Sequence, residues 1–294
     1  METLTLFAPV IGVAALLVGA FAVYSVLCWM GRTPDVGPVK TNEVFGPYLA
    51  RFILWVLVPV ESTLRALNVS PNAITGWSVA ACAASGVAVS QGHLALGAWL
   101  YVLGGVLDIL DGRLARATGR QTPAGALFDS VADRWAELFV FTGFAWYLRE
   151  TGWLLAVMSA IAGSMMVSYT RARGEGLGVE LKVGAMQRAE RIVLVVAGTL
   201  VAAWLARSGE AEHAPMAAGI ALAMCGVLSS VTALGRWLEG YRKLAARHPV
   251  PAVPGATTVT APVTLPVTVA VPVPRRVEPL RKAGESGALP VTRA

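Results

Sequence analysis

The chain has 294 residues, of which 55% are hydrophobic and 14% are charged, and its formal net charge is +6. Soluble domains carry about 25% charged residues, so this composition excludes an ordinary soluble globular protein and indicates a polytopic membrane protein. The positive charge does not indicate a nucleic-acid partner, because basic residues in a membrane protein first report its topology.

Apolar runs of bilayer-spanning length follow one another along most of the chain. They predict seven transmembrane helices, near residues 5–30, 72–91, 94–111, 126–148, 151–170, 190–206 and 214–235. The last six runs follow one another closely, whereas the first lies apart from them. We therefore predict an all-α fold with a six-helix transmembrane core and one extra N-terminal transmembrane helix.

The segments around this core predict three parts of the chain. The first run lacks the basic leading residues of a secretory signal, so we assign residues 1–42 to an uncleaved anchor helix and its linker. Residues 43–68 hold an apolar run too short to span and interrupted by Arg51. They predict an interfacial amphipathic helix, with a re-entrant segment as the alternative, and they open a membrane domain at 43–247. Residues 248–294 contain nine prolines and predict a disordered cytoplasmic tail.

Basic residues predict which side of the membrane each connecting segment faces. Sixteen Lys and Arg residues fall in four segments that alternate to one side: 31–65, 112–125, 170–191 and 236–247. The opposite side holds only Arg149 and Arg207. By the positive-inside rule the first side is cytoplasmic. We therefore expect an integral protein of the cell (inner) membrane in which the segment 112–125, and the site that opens there, faces the cytoplasm.

Four aspartates interrupt the apolar pattern in the hairpin that joins the second and third core helices. At about 100° per residue, Asp108 and Asp111 share one helix face with Gly112 and Ala115. Gly125, Asp129 and Asp133 recur at intervals of four and form a second stripe. A carboxylate at bilayer depth costs roughly 2.5–3.5 kcal/mol, so four together indicate function. Two facing carboxylate stripes suit a pair of hard divalent cations.

The same residues carry a resemblance to a known family. The motif D-x2-D-G-x2-A-R-x8-G-x3-D-x3-D is matched at every fixed position, by Asp108, Asp111, Gly112, Ala115, Arg116, Gly125, Asp129 and Asp133. On this motif the chain resembles the CDP-alcohol phosphotransferases, also called CDP-alcohol phosphatidyltransferases. The resemblance extends over about residues 60–247 and includes Pro71–Thr75, which is similar to the start of the family's first helix.

The resemblance implies a reaction and a role for each motif residue. Enzymes of this family transfer a phosphatidyl or similar group from a CDP-linked donor, such as CDP-diacylglycerol, to an acceptor hydroxyl group and release CMP. By resemblance, Mg²⁺ or Mn²⁺, as two ions, would be held by Asp108, Asp111, Asp129 and Asp133, and Asp133 would also be the base. The CDP moiety would be bordered by Gly112, Ala115, Arg116 and Gly125. The resemblance also implies a homodimer.

A basic cluster follows the fourth core helix and predicts an acceptor site. It consists of Arg171, Arg173, Lys182, Arg188 and Arg191. Converging cations, arginine above all, favour a phosphorylated alcohol as acceptor over a neutral one. A structural salt-bridge network with Glu175, Glu180 and Glu190 is the alternative.

The cluster is also similar to the branch of the family that uses inositol phosphate, the phosphatidylinositol-phosphate synthases. That branch has an S-Y-x-x-A-R-A-E-like helix end and an E-R-x-E-R-like loop, matched here from Ser168 to Glu175 and from Gln187 to Arg191. Gly174 and Gln187 depart from the pattern. Inositol phosphate is therefore the expected acceptor, and glycerol 3-phosphate, as in phosphatidylglycerophosphate synthases, is the alternative.

Two other classes of function compete with the enzyme. Intramembrane carboxylates also mark ion pathways, so a divalent-cation transporter is an alternative. Transporters are expected to place the site near the bilayer midplane, often with inverted repeats, and no internal repeat is evident here. A scaffold that has lost activity is the third possibility, although all four aspartates are intact.

Overall fold

The computed structural model describes residues 2–33, 36, 46–181 and 184–247. Over these residues the chain is helical and contains no β-strand, which confirms the predicted all-α class. The helices are α1 (Glu2–Trp29), α2 (Gly46–Ala66), α3 (Pro71–Ser90), α4 (Leu94–Ala117), α5 (Pro123–Tyr147), α6 (Leu154–Gly176), α7 (Arg188–Arg207) and α8 (Ala214–Arg247), with a 3₁₀ turn at Ala211–His213 before α8. The predicted tail at 248–294 lies outside the described residues.

Within the part of the chain that the structure describes, five helical segments are long and apolar enough to cross a bilayer. They are α3, α4, α6, α7 and the run Ala211–Arg247 that contains α8. The prediction of a polytopic membrane protein is thereby confirmed. The predicted span at 126–148 corresponds to α5, which has 25 residues but carries Asp129, Asp133, Arg134 and Glu137. Its place in the bilayer, like that of α1, stays a prediction.

Helix starts near the motif are determined by local sequence signals. Ser70 caps α3, because its hydroxyl accepts a hydrogen bond from the Ala73 amide at 3.2 Å, and Pro71 occupies the first turn. Thr122 caps α5 in the same way through the Gly125 amide at 3.0 Å, again ahead of a proline, Pro123. Both arrangements satisfy an otherwise unpaired amide at the helix N-terminus. They fix the two helix starts that border the aspartate hairpin.

The helices around the motif pack closely where small residues allow it. A Cβ atom added to Gly86 of α3 would collide with the backbone of Phe139 in α5, and one added to Gly143 would collide with Gly86. Such close backbone approach is typical of membrane helices, since their association depends on van der Waals packing. This contact sets α5 against α3, and α3 also packs along α4. On the side of the motif away from the α4–α5 loop, the core includes Tyr101, Phe141 and Phe144, all buried.

The predicted amphipathic helix at 43–68 is found as α2, which joins the N-terminal region to the core. Leu57 of α2 belongs to a buried cluster with Ile74, Leu110 and Leu114. On its other side α2 meets α1, where Tyr24 is buried and the Tyr48 hydroxyl donates to Ser25 Oγ at 2.9 Å. Helix α2 therefore bridges α1 and α4.

Candidate functional site

The aspartate stripes lie on two consecutive helices, as the periodicity predicts. Helix α4 continues to Ala117, beyond the predicted end at residue 111, so the whole first stripe is helical. One carboxylate oxygen from each of Asp108, Asp111 and Asp129 lies within 4.8 Å of the other two. Oxygen ligands from carboxylates at this separation fit Mg²⁺ or Mn²⁺. The three aspartates are therefore a candidate site for a hard divalent cation.

Asp111 is the most buried of these carboxylates and is held by a neighbour from α3. Its exposed fraction is 3%, and its Oδ2 accepts a hydrogen bond from the Thr75 hydroxyl at 2.6 Å. Thr75 is itself buried in the first turn of α3. This contact gives a structural reason for the Pro71–Thr75 segment to accompany the motif. The bond fixes one oxygen of Asp111 before any ligand is bound.

Asp133 is linked to the other carboxylates through an arginine from α7. The Arg188 Nη1 donates to Asp108 Oδ1 and to Asp133 Oδ1. A second cation, Arg134 Nη1, lies 3.5 Å from Asp133 Oδ2. The Nε and Nη2 of Arg188 have no hydrogen-bond partner among the described residues, although both are buried. Arg188 therefore lies beside the aspartates, and its Nε and Nη2 donors have no partner among the described residues.

The residues predicted to border CDP gather at the same end of the hairpin. Arg116 is exposed, and a Cβ atom on Gly112 would lie 3.4 Å from its Nη1. A Cβ atom on Gly125 would lie 3.1 Å from Thr122 Oγ1 and 3.6 Å from Asn72 Oδ1. A Cβ atom on Gly125 would crowd Thr122 Oγ1, whereas one on Gly112 would make an ordinary contact with the flexible end of Arg116. Asn72 is a neighbour of this end of the hairpin that the motif alone does not identify.

The predicted acceptor cluster divides into exposed and buried members. Arg171 is half-exposed and pairs with Glu175, the Nε to Oε1 distance being 2.9 Å, and Arg173 is exposed. Arg191 is 3% exposed, and its Nη2 lies 2.7 Å from Glu137 Oε1. The pair of Arg171 with Glu175 is one that the salt-bridge alternative predicted, whereas Arg191 pairs with Glu137, which that alternative did not include. Lys182 lies outside the described residues.

Glu137 is a site residue that the sequence analysis missed. It lies on α5 one turn beyond Asp133, and only 2% of its side chain is exposed. The signal was available: an acidic residue four positions after Asp133 continues the carboxylate stripe deeper into the helix bundle. It was passed over because it falls outside the motif. Its partner, Arg191, is 54 positions away in the chain.

Comparison with known proteins gives one family and several relatives. The sequence model of a family described as CDP-alcohol phosphatidyltransferase matches residues 68–233. The archaetidylinositol phosphate synthase of Methanothermobacter thermautotrophicus is 37% identical over 169 residues, covering 57% of this chain and 80% of that protein. The phosphatidylinositol phosphate synthase of Cutibacterium acnes is 32% identical over 194 residues, covering 64% of this chain and 93% of that protein.

Solved structures of one similar enzyme share the fold. The phosphatidylinositol phosphate synthase of Mycobacterium tuberculosis with CDP-DAG bound superposes with a TM-score of 0.56 and 25% identity, covering 64% of this chain and 94% of that one. A complex of the same enzyme with manganese and citrate gives a TM-score of 0.55, covering 62% of this chain and 88% of that one. The relatives thus include proteins that bind a CDP-linked lipid and a divalent metal.

Proposed function

The chain belongs to the CDP-alcohol phosphatidyltransferase family, and on that premise we propose that it transfers a phosphatidyl group from CDP-diacylglycerol to an inositol phosphate. The observation that carries the proposal is the grouping of Asp108, Asp111 and Asp129 within 4.8 Å of one another, on a motif shared with the family. Membership of this family also decides between the classes of function. The chain is a transferase of phospholipid biosynthesis, and the transporter alternative is rejected.

The motif aspartates are proposed to hold divalent metal, as two ions, with Asp108, Asp111, Asp129 and Asp133 as ligands. When bound, such ions would supply the positive charge that neutralises the donor's pyrophosphate. Thr75 supports this role by holding Asp111 in place. Mg²⁺ and Mn²⁺ both fit an all-oxygen ligand set, and manganese is present in a complex of the Mycobacterium tuberculosis relative.

The chemistry proposed for the chain is a displacement at the donor's β-phosphorus. The acceptor oxygen forms a bond to that phosphorus, the bond to the bridging oxygen of the pyrophosphate breaks, and CMP leaves with the electron pair. Asp133 takes the proton of the acceptor hydroxyl group. Gly112, Ala115 and Gly125 leave room for the CDP moiety, and Arg116, which is exposed beside Gly112, pairs with a phosphate.

The acceptor's phosphate is proposed to bind the cations at the ends of α6 and α7. Arg188 supports this because two of its donors are unused beside Asp133. Arg171 and Arg173 lie exposed at the end of α6, and Lys182 keeps its predicted role. The relatives named for inositol phosphate products favour that acceptor over glycerol 3-phosphate.

We also propose the predicted cell-membrane location, the cytoplasmic site, the three-part division of the chain and a homodimer.

One assay tests this proposal. Purified protein is given CDP-diacylglycerol, Mg²⁺ and, in turn, inositol phosphate, glycerol 3-phosphate, free inositol and serine, and the lipid products are identified by mass spectrometry. We expect CMP release and a phosphatidylinositol phosphate product. Asp129→Asn serves as the inactive variant, and Glu150→Gln, an exposed carboxylate paired with Arg149, is the matched control. Efficient product formation with free inositol or serine would contradict the acceptor assignment.

A further inference from the structure

Each nitrogen of the Arg191 guanidinium group already has a partner within the protein. Its Nε donates to Glu137 Oε1 at 2.8 Å, its Nη2 lies 2.7 Å from the same oxygen, and its Nη1 donates to the Met186 carbonyl at 3.1 Å. All three nitrogens are thus committed within a site that is almost completely buried. A phosphate could bind Arg191 only by breaking a buried ion pair, which is strongly unfavourable. Arg191 is therefore unsuited to direct contact with the acceptor.

Arg188 and Arg191 lie three positions apart on α7 and both face acidic residues of α5. Arg188 meets Asp133, and one turn deeper Arg191 meets Glu137, which follows Asp133 by four positions. Helix α7 packs mainly against α4 and α8, and these two arginine side chains form ion pairs between α7 and α5. Asp133–Arg188 and Glu137–Arg191 are thus two successive ion pairs between α5 and α7. The first, or outer, pair belongs to the site, and the second, or inner, pair lies one turn deeper and is buried.

The inner pair also controls the segment that leads into α7. Through the Met186 carbonyl, Arg191 fixes the residues immediately before the helix, and Arg188 is the first residue of α7. A buried pair with two charged hydrogen bonds restricts rotation and sliding of the helix. Arg188 lies about one turn before Arg191 on the same helix, so contacts that hold α7 at Arg191 also hold the backbone from which the Arg188 side chain extends.

We propose that Glu137 and Arg191 form a positioning pair that places Arg188 for the acceptor's phosphate and does not itself touch substrate. The inference rests on the proposed function, since Arg188 is assigned there to the acceptor. It assigns Glu137, which lies outside the family motif, to the working machinery of the enzyme. It also assigns Arg191 to holding Arg188 in position, whereas the sequence analysis placed Arg191 among the residues that bind the acceptor's phosphate.

The test compares Glu137→Gln, Arg191→Gln and the double variant, with acceptor and donor varied in turn. We expect both single variants to raise the acceptor KM by about 10- to 100-fold, because small misplacements of a binding group carry penalties of that size, with the donor KM nearly unchanged. The double variant should be no worse than the worse single variant. Arg191→Lys, which keeps the buried charge, should restore part of the loss.

Two outcomes would overturn the proposal. If Arg191→Gln raised the acceptor KM and Glu137→Gln did not, Arg191 would bind the acceptor directly. If both variants lowered only thermal stability and left the acceptor KM unchanged, the pair would be merely structural. Arg149→Gln, which removes an exposed pair, is the control and should change neither. Where a glutamine variant does not fold, Glu137→Asp and Arg191→Lys make the same comparison.

A second measurement separates this proposal from the proposed function. Hydrogen–deuterium exchange of residues 184–187, without substrates, should become faster in both variants. In Arg191→Gln the Met186 carbonyl loses its donor, and in Glu137→Gln the guanidinium group that donates to it is no longer held by a carboxylate. Unchanged exchange in both variants would overturn the pair. If the wild-type enzyme used no phosphorylated alcohol, the proposed function would fail, and the exchange comparison would still decide whether the pair holds this segment.

Discussion

At the scale of single residues, the site is a group of acidic side chains that are held by neighbours outside the motif. Asp111 is oriented by Thr75, and Asp108 and Asp133 share Arg188. Isolated carboxylates buried together would repel one another, so each needs a hydrogen bond or a cation. These neighbours supply that compensation, and they keep the carboxylate oxygens turned toward one another.

The aspartates of the cluster predict a strict dependence on metal. Asp108→Asn, Asp111→Asn and Asp129→Asn should each abolish turnover while the protein remains folded, since an amide is a poorer ligand for a hard cation. Measurement of CMP release from detergent-purified variants checks this, with Mn²⁺ binding followed by electron paramagnetic resonance. Full activity of the wild-type enzyme in excess EDTA would show the assignment to be wrong.

Asp133 predicts a loss in the chemical step. Asp133→Asn should lower kcat by about 10²–10⁴-fold, the usual contribution of a positioned base, and change binding of CDP-diacylglycerol far less. Single-turnover kinetics together with donor titration separates the two effects. A variant within about threefold of the wild-type rate would remove Asp133 from this role.

At the scale of elements, the site depends on how α7 and α2 meet the aspartate hairpin. The hairpin itself is local, being formed by α4 and α5. Arg188 reaches it from α7, and its outer support comes from α2, whose Glu61 Oε2 accepts from Arg113 Nε at 2.6 Å. Arg113 also donates to the Val36 carbonyl at 3.1 Å. The N-terminal region is thereby attached two residues from Asp111.

The cations proposed to bind the acceptor's phosphate, at the ends of α6 and α7, predict acceptor-specific losses. Arg171→Gln, Arg173→Gln and Arg188→Gln should each raise the acceptor KM by about 10- to 150-fold, the equivalent of the roughly 1.5–3 kcal/mol of a charged hydrogen bond. Lys182→Gln should be milder, because an ammonium lacks a bidentate fork. Kinetics with each substrate varied in turn checks this, and equal losses for donor and acceptor would favour a salt-bridge network instead.

The contact between α2 and α4 predicts a loss of stability. Glu61→Gln should lower the free energy of unfolding by about 1–3 kcal/mol, because Arg113, whose side chain is mostly buried, loses its charged partner. The midpoint of thermal unfolding in detergent measures this, at about 2–4 °C per kcal/mol. Glu150→Gln, from a far more exposed pair, is the matched control. Equal midpoints for the two variants would show that the α2 contact is dispensable.

At the scale of the whole molecule, basic residues and the aspartate hairpin share one end of the bundle. The loop between α4 and α5 and the segment between α6 and α7 both lie at this end by chain alternation. The opposite end includes Arg149 and Arg207. This asymmetry is the basis of the proposed cytoplasmic orientation.

A labelling experiment checks that orientation. In a variant with Cys28 replaced by serine, Gln121→Cys, between α4 and α5, should react with a membrane-impermeant maleimide only in inside-out vesicles. Ser208→Cys, which follows α7, should react only in right-side-out vesicles. Both positions are exposed, whereas Cys82 and Cys225 are buried. The reverse pattern would place the site on the outer side.

The sequence by itself determined the features that depend on local periodicity. Composition indicated the membrane class, and helical spacing placed Asp108, Asp111, Asp129 and Asp133 on two stripes. A helix repeats every 3.6 residues whatever surrounds it, so these faces follow from spacing alone. The helix ends were less accurate: α4 and α8 extend beyond the predicted spans, because helices continue past the apolar core of the bilayer.

Tertiary structure alone decided which acidic residue each arginine of α7 contacts. Arg188 and Arg191 are the same residue type and lie three positions apart. Arg188 nevertheless contacts the motif aspartates, whereas Arg191 is buried against Glu137. Their partners lie 80 and 54 positions away, and nothing local to α7 specifies them. Burial and pairing depend on which helix packs where, and that choice is made by the whole bundle, including the close glycine contacts between α3 and α5.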